Sequence, residues 1–254
     1  MVDAIAIPLG TVVLEHNGAR LLQFDLTSHR VQLQSAVDSV DKDAITWYPT
    51  FKNPYNCHET ATMRRGMAFF MNPIVPNVQP GYYFSGVYVV TLGMTPEMQA
   101  ALDVVNRIFA PAPGQVPYDG VLLNYYNTKS DYLSQHSDKG IKPGEDVVMI
   151  SLGPGIRIFR VTRKQGLKVV FSKDFVSSPF RALVMTGDSF QQTFQHGIPK
   201  LRLRASDFPE DFPNGVLPES ADMPRLSMTF RRHDAVLAAR DHARFVADQS
   251  KKSP

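Results

Sequence analysis

Apolar and polar positions change their period along this chain, and the change divides it. Between residues 95 and 113 the period is helical. Met98, Leu102, Val105 and Phe109 form one apolar stripe. Thr95 is placed to cap that helix, Pro96 occupies its first turn, and Glu97 complements its dipole. Pro111 and Pro113 stop it. From residue 117 the runs shorten. GVLLNYY, YLSQHSD, DVVMISLG, GIRIFRVT, LKVVFS, RALVMTGD, FQQTFQHGI and RLSMTFR read as short strands separated by turns. Such a series predicts a β-sandwich or barrel, of which the jelly roll is one form. Upstream, TVVLEHNGARLLQF (residues 11–24) reads as a hairpin, because Asn17 and Gly18 both tolerate positive φ. GMAFFMN and GYYFSGVYVVTLG also read as strands, whereas residues 25–66 are mixed and carry the aromatic cluster Trp47, Tyr48, Phe51 and Tyr55. The break between Ile198 and Arg225 holds Pro199, Pro209, Pro213, Pro218 and Pro224, and a loop of that length is usually functional or mobile. The tail from Asp234 reads as a terminal helix with a basic end.

Composition narrows the class. The 254 residues suffice for one large domain, or for a core with an N-terminal elaboration. A formal net charge of +3 suits an anionic partner without demanding one. One cysteine excludes an intramolecular disulfide framework and fits a reducing compartment. No apolar run is long enough to cross a bilayer, and MVDAIAIPLG lacks the features of a signal peptide. The expectation is an intracellular protein, of cytoplasm or nucleus, with no membrane association.

The chemistry begins in NYYNTKSDYLSQHSDKG. His136 and Asp138 lie two residues apart, so on a strand both side chains reach the same side. Imidazole plus carboxylate is the ligand mix of a non-haem iron site. His196, on a later strand, is the candidate third ligand, since late and early strands commonly lie side by side in a jelly roll. Two histidines and one carboxylate leave positions open for substrate and dioxygen. On the last strand, Arg225, Ser227, Thr229 and Arg231 share one face, and Leu226, Met228 and Phe230 the other. Two guanidiniums on an inward face suit a small dicarboxylate. Asn124 and Tyr126 share a face by the same alternation.

Asn124-Tyr125-Tyr126, His136-Ser137-Asp138, His196 and the run Arg225 to Arg231 together resemble the AlkB-like iron(II)- and 2-oxoglutarate-dependent dioxygenases. Tyr83-Phe84-Ser85-Gly86, Ser151-Leu152-Gly153 and the Gly187-Asp188 turn support the resemblance, and the Arg64-Arg65 segment before Phe69 is similar to that family's nucleotide-recognition lid. The resemblance implies a mainly β (α+β) fold, a double-stranded β-helix (jelly roll) core with N-terminal strands and helix forming a substrate lid. It divides the chain into an elaboration over 1–60, a dioxygenase domain over 61–232 and a helical tail over 233–254, all packed as one structural unit. It implies Fe(II) held by His136, Asp138 and His196. Arg225 would pair with one carboxylate of 2-oxoglutarate and Arg231 would pair with or flank the other end, while Asn124, Tyr126 and Ser227 hydrogen-bond it. The reaction implied uses dioxygen, turns 2-oxoglutarate into succinate and carbon dioxide, and hydroxylates a C–H bond; an N-methyl group so hydroxylated leaves as formaldehyde. Alkylated DNA or RNA is the implied partner, met by a monomer through Arg64, Arg65, Phe69, Tyr83 and Lys139.

Two features depart from that family. The second residue after the aspartate, acidic in several nucleic-acid-repair members, is Gly140 here; Glu145 and Asp146 follow a few residues later. The break over 199–224 is long, and Lys200, Arg202 and Arg204 alternate at its start, as a phosphate-facing edge or a solvated one. Bases flipped from a stack need aromatic partners; Phe69, Tyr83, Trp47, Tyr48 and Tyr55 are the candidates. Cys57-His58 has no partner at metal spacing. The alternatives are the same chemistry on a protein side chain, lipid or small molecule, and a non-catalytic jelly-roll binding module.

Overall fold

In a computed structural model of the chain, side chains are described for residues 10–40, 65–72, 91–109, 116–138, 145–187, 189–200 and 203–232, and for scattered residues between 239 and 247. The backbone alone is described for the strands at 46–47, 51–53, 56–61, 81–84 and 87–90. Arg64, Tyr48, Tyr55, Lys139, Gly140, Asp188 and Arg202 lie outside the described residues, as do the side chains of Trp47, Cys57, His58 and Tyr83.

In chain order the strands are β1 (Thr11–His16), β2 (Ala19–Asp25), β3 (Thr46–Trp47), β4 (Phe51–Asn53), β5 (Asn56–Ala61), β6 (Gly66–Met71), β7 (Gly81–Phe84), β8 (Val87–Val90), β9 (Gly120–Tyr126), β10 (Leu133–His136), β11 (Val147–Leu152), β12 (Arg157–Gln165), β13 (Lys168–Ser177), β14 (Arg181–Thr186), β15 (Gln195–Ile198) and β16 (Arg225–Arg231). The helices are α1 (Arg30–Asp38), α2 (Pro96–Ile108) and the single turn α3 (Phe190–Thr193). A large sheet runs β1-β2-β14-β11-β16-β9-β6-β3 and a small one β10-β15-β12-β13. Pairing within both is antiparallel. The last eight strands thus pass back and forth between two sheets, which is the double-wound jelly roll that the strand count predicts. Two short hairpins, β4-β5 and β7-β8, stand apart from these sheets.

The large sheet has two different faces because side chains alternate along each strand. Val121, Leu123, Val148, Ile150, Ala182, Val184, Met228 and Phe230 point to the helices and pack against Leu33, Ala36, Met98, Leu102 and Val105 of α1 and α2. Tyr126, Val147, Met149, Leu183 and Met185 point the other way, into a second core closed by Phe159, Val161, Phe175 and Ile198 of the small sheet. The candidate site lies in this second layer. α2 starts where the sequence places it: the Thr95 hydroxyl accepts from the Met98 backbone N–H at 3.1 Å.

The β1-β2 hairpin turns at Asn17 (φ 49°) and Gly18 (φ 79°), the left-handed pair expected of an Asn-Gly turn. It extends the large sheet by pairing with β14. Three elements differ from the sequence reading. α1 was not visible in the mixed region, since it buries only Leu33 and Ala36 and shows no continuous stripe. FQQTFQHGI is not one strand: Phe190 to Thr193 form a helical turn, and only Gln195–Ile198 extend. The proline-rich break is an ordered cover. Leu203, Phe208, Phe212, Leu217 and Ala221 pack on Ile156, Ile158 and Val176, the outer face of the small sheet. An Arg181–Asp211 ion pair and a hydrogen bond from Ile156 N–H to the Ala221 carbonyl fasten it. No helix among the described residues is long and apolar enough to cross a membrane.

Candidate metal centre

Strand pairing brings the sequence-distant histidine to the H-x-D pair. His136 on β10 lies directly across from His196 on β15. Gly197 permits this close approach, since a Cβ there would fall 2.5 Å from the Leu133 carbonyl oxygen. One ligand atom from each of His136, Asp138 and His196 lies within 4.8 Å of the others. Asp138 sits between the rings, with Oδ1 3.5 Å from His136 Nε2 and Oδ2 3.7 Å from His196 Nε2.

Each donor is prepared for a cation. His136 Nδ1 is 2.9 Å from the Ser134 carbonyl. A carbonyl only accepts, so Nδ1 donates to it, and this fixes the ring with Nε2 turned toward Asp138. His196 is buried, which pulls its pKa down to about 3; Asp138 opposes this, while His136 and Arg231 add to it. Its imidazole is neutral at ordinary pH. Burial pushes the Asp138 carboxyl up, but Arg231, His196 and His136 together outweigh burial and hold it far below the usual carboxylate range. Asp138 is therefore ionised, and its buried Oδ2 has no hydrogen-bond partner. Two imidazoles and one carboxylate with a spare oxygen fit a divalent transition metal such as iron.

The loop carrying Asp138 is fixed from α3. The Asp138 N–H donates to Gln191 Oε1 at 2.8 Å, and the Ser137 hydroxyl donates to the Phe194 carbonyl at 3.0 Å. Phe159 stacks against His196 with centroids 5.6 Å apart. Nothing in the local sequence marks Gln191 for this part.

The polar face of β16 borders the same pocket. Asn124, Tyr126, Ser227, Thr229 and Arg231 line it together with the three metal-site residues. Register explains the grouping, because Arg225 lies opposite Tyr126, and Ser227 opposite Asn124. Arg231 pairs with Asp138. Arg225 is fully buried just behind the pocket wall. Its Nε donates to Ser151 Oγ at 2.9 Å and its Nη2 to Ser177 Oγ at 2.8 Å, and its guanidinium lies 5.3 Å from the Tyr126 ring centroid. Nη1 has no partner. Burial draws its pKa down to about 10, so it remains a cation.

Among the candidate substrate contacts, Arg65 reaches the pocket and its Nε donates to Asn124 Oδ1 at 2.7 Å. Phe69 is buried in β6, alternating with the helix-facing Ala68 and Phe70. Lys200 is at the surface, its ammonium 4.7 Å from the Tyr132 ring centroid, and Arg204 is exposed. Glu145 and Asp146 flank the start of β11, and burial leads the upward shift of the Asp146 carboxyl.

No family model matches the chain, and no curated protein matches it. Among solved structures, that of OsALKBH1 is similar to this chain, with 18% identity, coverage of 86% of this chain and 100% of that one, and a TM-score of 0.46.

Proposed function

We propose that this chain is an Fe(II)- and 2-oxoglutarate-dependent dioxygenase that oxidatively demethylates alkylated nucleobases of DNA or RNA. The observation that carries the proposal is the ionised Asp138 held between two imidazoles, in a pocket backed by a buried, incompletely paired arginine. Iron with 2-oxoglutarate and dioxygen would supply the oxidation of an unactivated C–H bond.

The chain's own residues account for the rest. His136, Asp138 and His196 would hold the ion at the wall of the pocket. Arg231 keeps Asp138 charged and oriented. Arg225 would offer an incompletely paired cation to a carboxylate of 2-oxoglutarate, and Asn124, Tyr126 and Ser227 would hydrogen-bond that ligand. Leu122, Leu133, Met149, Phe159 and Ile198 make the remaining wall apolar and exclude water. Arg65 extends from the lid-like segment into the pocket, and with the basic balance of the chain it supports an anionic polymer as substrate.

The test is to incubate the iron-loaded protein with 2-oxoglutarate and oligonucleotides carrying 1-methyladenine, 3-methylcytosine or 6-methyladenine. Formaldehyde release with restored bases is expected. Succinate formation with none of these, in any strand context, removes the nucleic-acid reading. A non-nucleic-acid substrate is the second reading, favoured by Gly140, which offers no carboxylate to a base.

A further inference from the structure

Arg157 opens β12 and is buried, with 5% of its surface exposed. Its neighbours Ile156 and Ile158 pack outward beneath the cover loop, and Phe159 and Val161 belong to the inter-sheet core. By alternation Arg157 shares the inner face with Phe159 and Val161. Its Nη1 donates to the carbonyls of Ile156 (2.8 Å) and Ala221 (3.3 Å). Nε and Nη2 have no partner. Asp131 and Asp222 act on it only through space, and burial draws its pKa down.

Its register partner on β13 is Ser177, whose hydroxyl accepts from Arg225. Arg157 is close enough to Arg225 for the two charges to oppose each other, and Tyr126 acts on both. One end of the barrel thus holds two buried guanidiniums with three unpartnered nitrogens: Nε and Nη2 of Arg157 and Nη1 of Arg225. Buried like charges with no carboxylate in contact are costly, and an anion entering between them relieves that cost.

We propose that Arg157 is a second anion-binding residue of this site, and that with Arg225 it forms a two-guanidinium clamp for the distal carboxylate of a 2-oxo dicarboxylic acid. The inference rests on the co-substrate reading above and adds a specificity determinant to it. A carboxylate offers about four lone-pair sites, enough to accept from both arginines at once. A ligand without that group leaves two buried cations unmatched instead of one, so discrimination is steeper than a single arginine provides.

Arg157 also touches the cover loop through Ala221, and the test separates clamp from loop pin. The protein is loaded anaerobically with Mn(II) and titrated calorimetrically with 2-oxoglutarate and with 2-oxopentanoate, the same carbon chain lacking the distal carboxylate. The wild type is expected to prefer 2-oxoglutarate by about 100-fold or more. Arg157→Gln lowers that preference about 10-fold or more by weakening 2-oxoglutarate alone. Arg157→Lys, which keeps the charge without the fork, retains more of the preference than Arg157→Gln. Because the preference is a ratio within one variant, it does not depend on the fraction folded. Equal weakening of both acids, or no change in either, overturns the clamp while leaving the co-substrate reading intact. If the wild type binds neither acid, the co-substrate reading falls and the clamp with it.

Discussion

The two faces of β16 are built from alternate residues of one heptapeptide, yet they obey different energetics. Leu226, Met228 and Phe230 enter the helix-side core, where burial of carbon is favourable in itself. Arg225, Ser227, Thr229 and Arg231 enter the inter-sheet layer, where desolvation of each polar group must be offset by a partner. Arg231 has Asp138, whereas Arg225 has two serine hydroxyls and one nitrogen with no partner. The first face stabilises the strand; the second is held in place by it.

That contrast breaks most visibly at Phe230. Phe230→Ala is expected to cost about 3–5 kcal/mol in urea unfolding, because it empties a fully buried site. The molecules that remain folded should bind metal and 2-oxoglutarate as the wild type does. Arg225→Met, five residues away on the other face, should behave oppositely. Replacing a buried, incompletely paired ion by an apolar side chain of similar volume leaves unfolding within about 1 kcal/mol of wild type. Calorimetry should then show affinity for 2-oxoglutarate falling about 30-fold or more.

A smaller effect sharpens the same division. Gln191 is not one of the three proposed metal ligands but accepts from the Asp138 backbone N–H. Gln191→Ala should weaken metal binding about 10-fold, as loss of outer support around a ligand does, with little change in stability. Competition with a chromogenic chelator measures it. The smallest effect is in pH. The folded pKa of His196 is about 3, against an ordinary 6.5, so the unfolded chain takes up the proton first. Its contribution to stability is complete above pH 6.5 and is lost as pH falls toward 3. In the metal-free protein the loss is about 1.4 kcal/mol at pH 5.5. His196→Gln should remove that part of the slope, read as the difference between the two proteins' unfolding curves.

What the sequence made legible was whatever repeats locally. The alternation of β16, the two-residue spacing of His136 and Asp138, the Asn-Gly turn and the stripe of α2 are each contained in a short window. The meeting of β10 with β15 is not. His196 is reached from the sequence only through the general habit of jelly-roll strands and a resemblance spanning distant motifs, because no local pattern specifies a cross-strand neighbour 60 residues away by number. Gln191 was hidden for the same reason, and also because FQQT reads as strand until its one helical turn is seen. The cover loop was read from its prolines, while its apolar residues Leu203, Phe208, Phe212 and Leu217 carried the information about packing. Arg157 was readable in principle: in GIRIFRVT it falls on the same side as Phe159 and Val161, a charge on an otherwise apolar row. An arginine at a strand end is ordinarily solvated, and only its burial under the 219–222 turn removes that reading.

One pocket is proposed to hold both a metal ion and a 2-oxo acid. Anaerobic addition of Fe(II) followed by 2-oxoglutarate tests it most directly. A visible charge-transfer absorption is expected that needs both additions, is lost in Asp138→Ala and is strongly weakened in Arg225→Met. An absence of that band in the wild type, or its survival in Asp138→Ala, would contradict it.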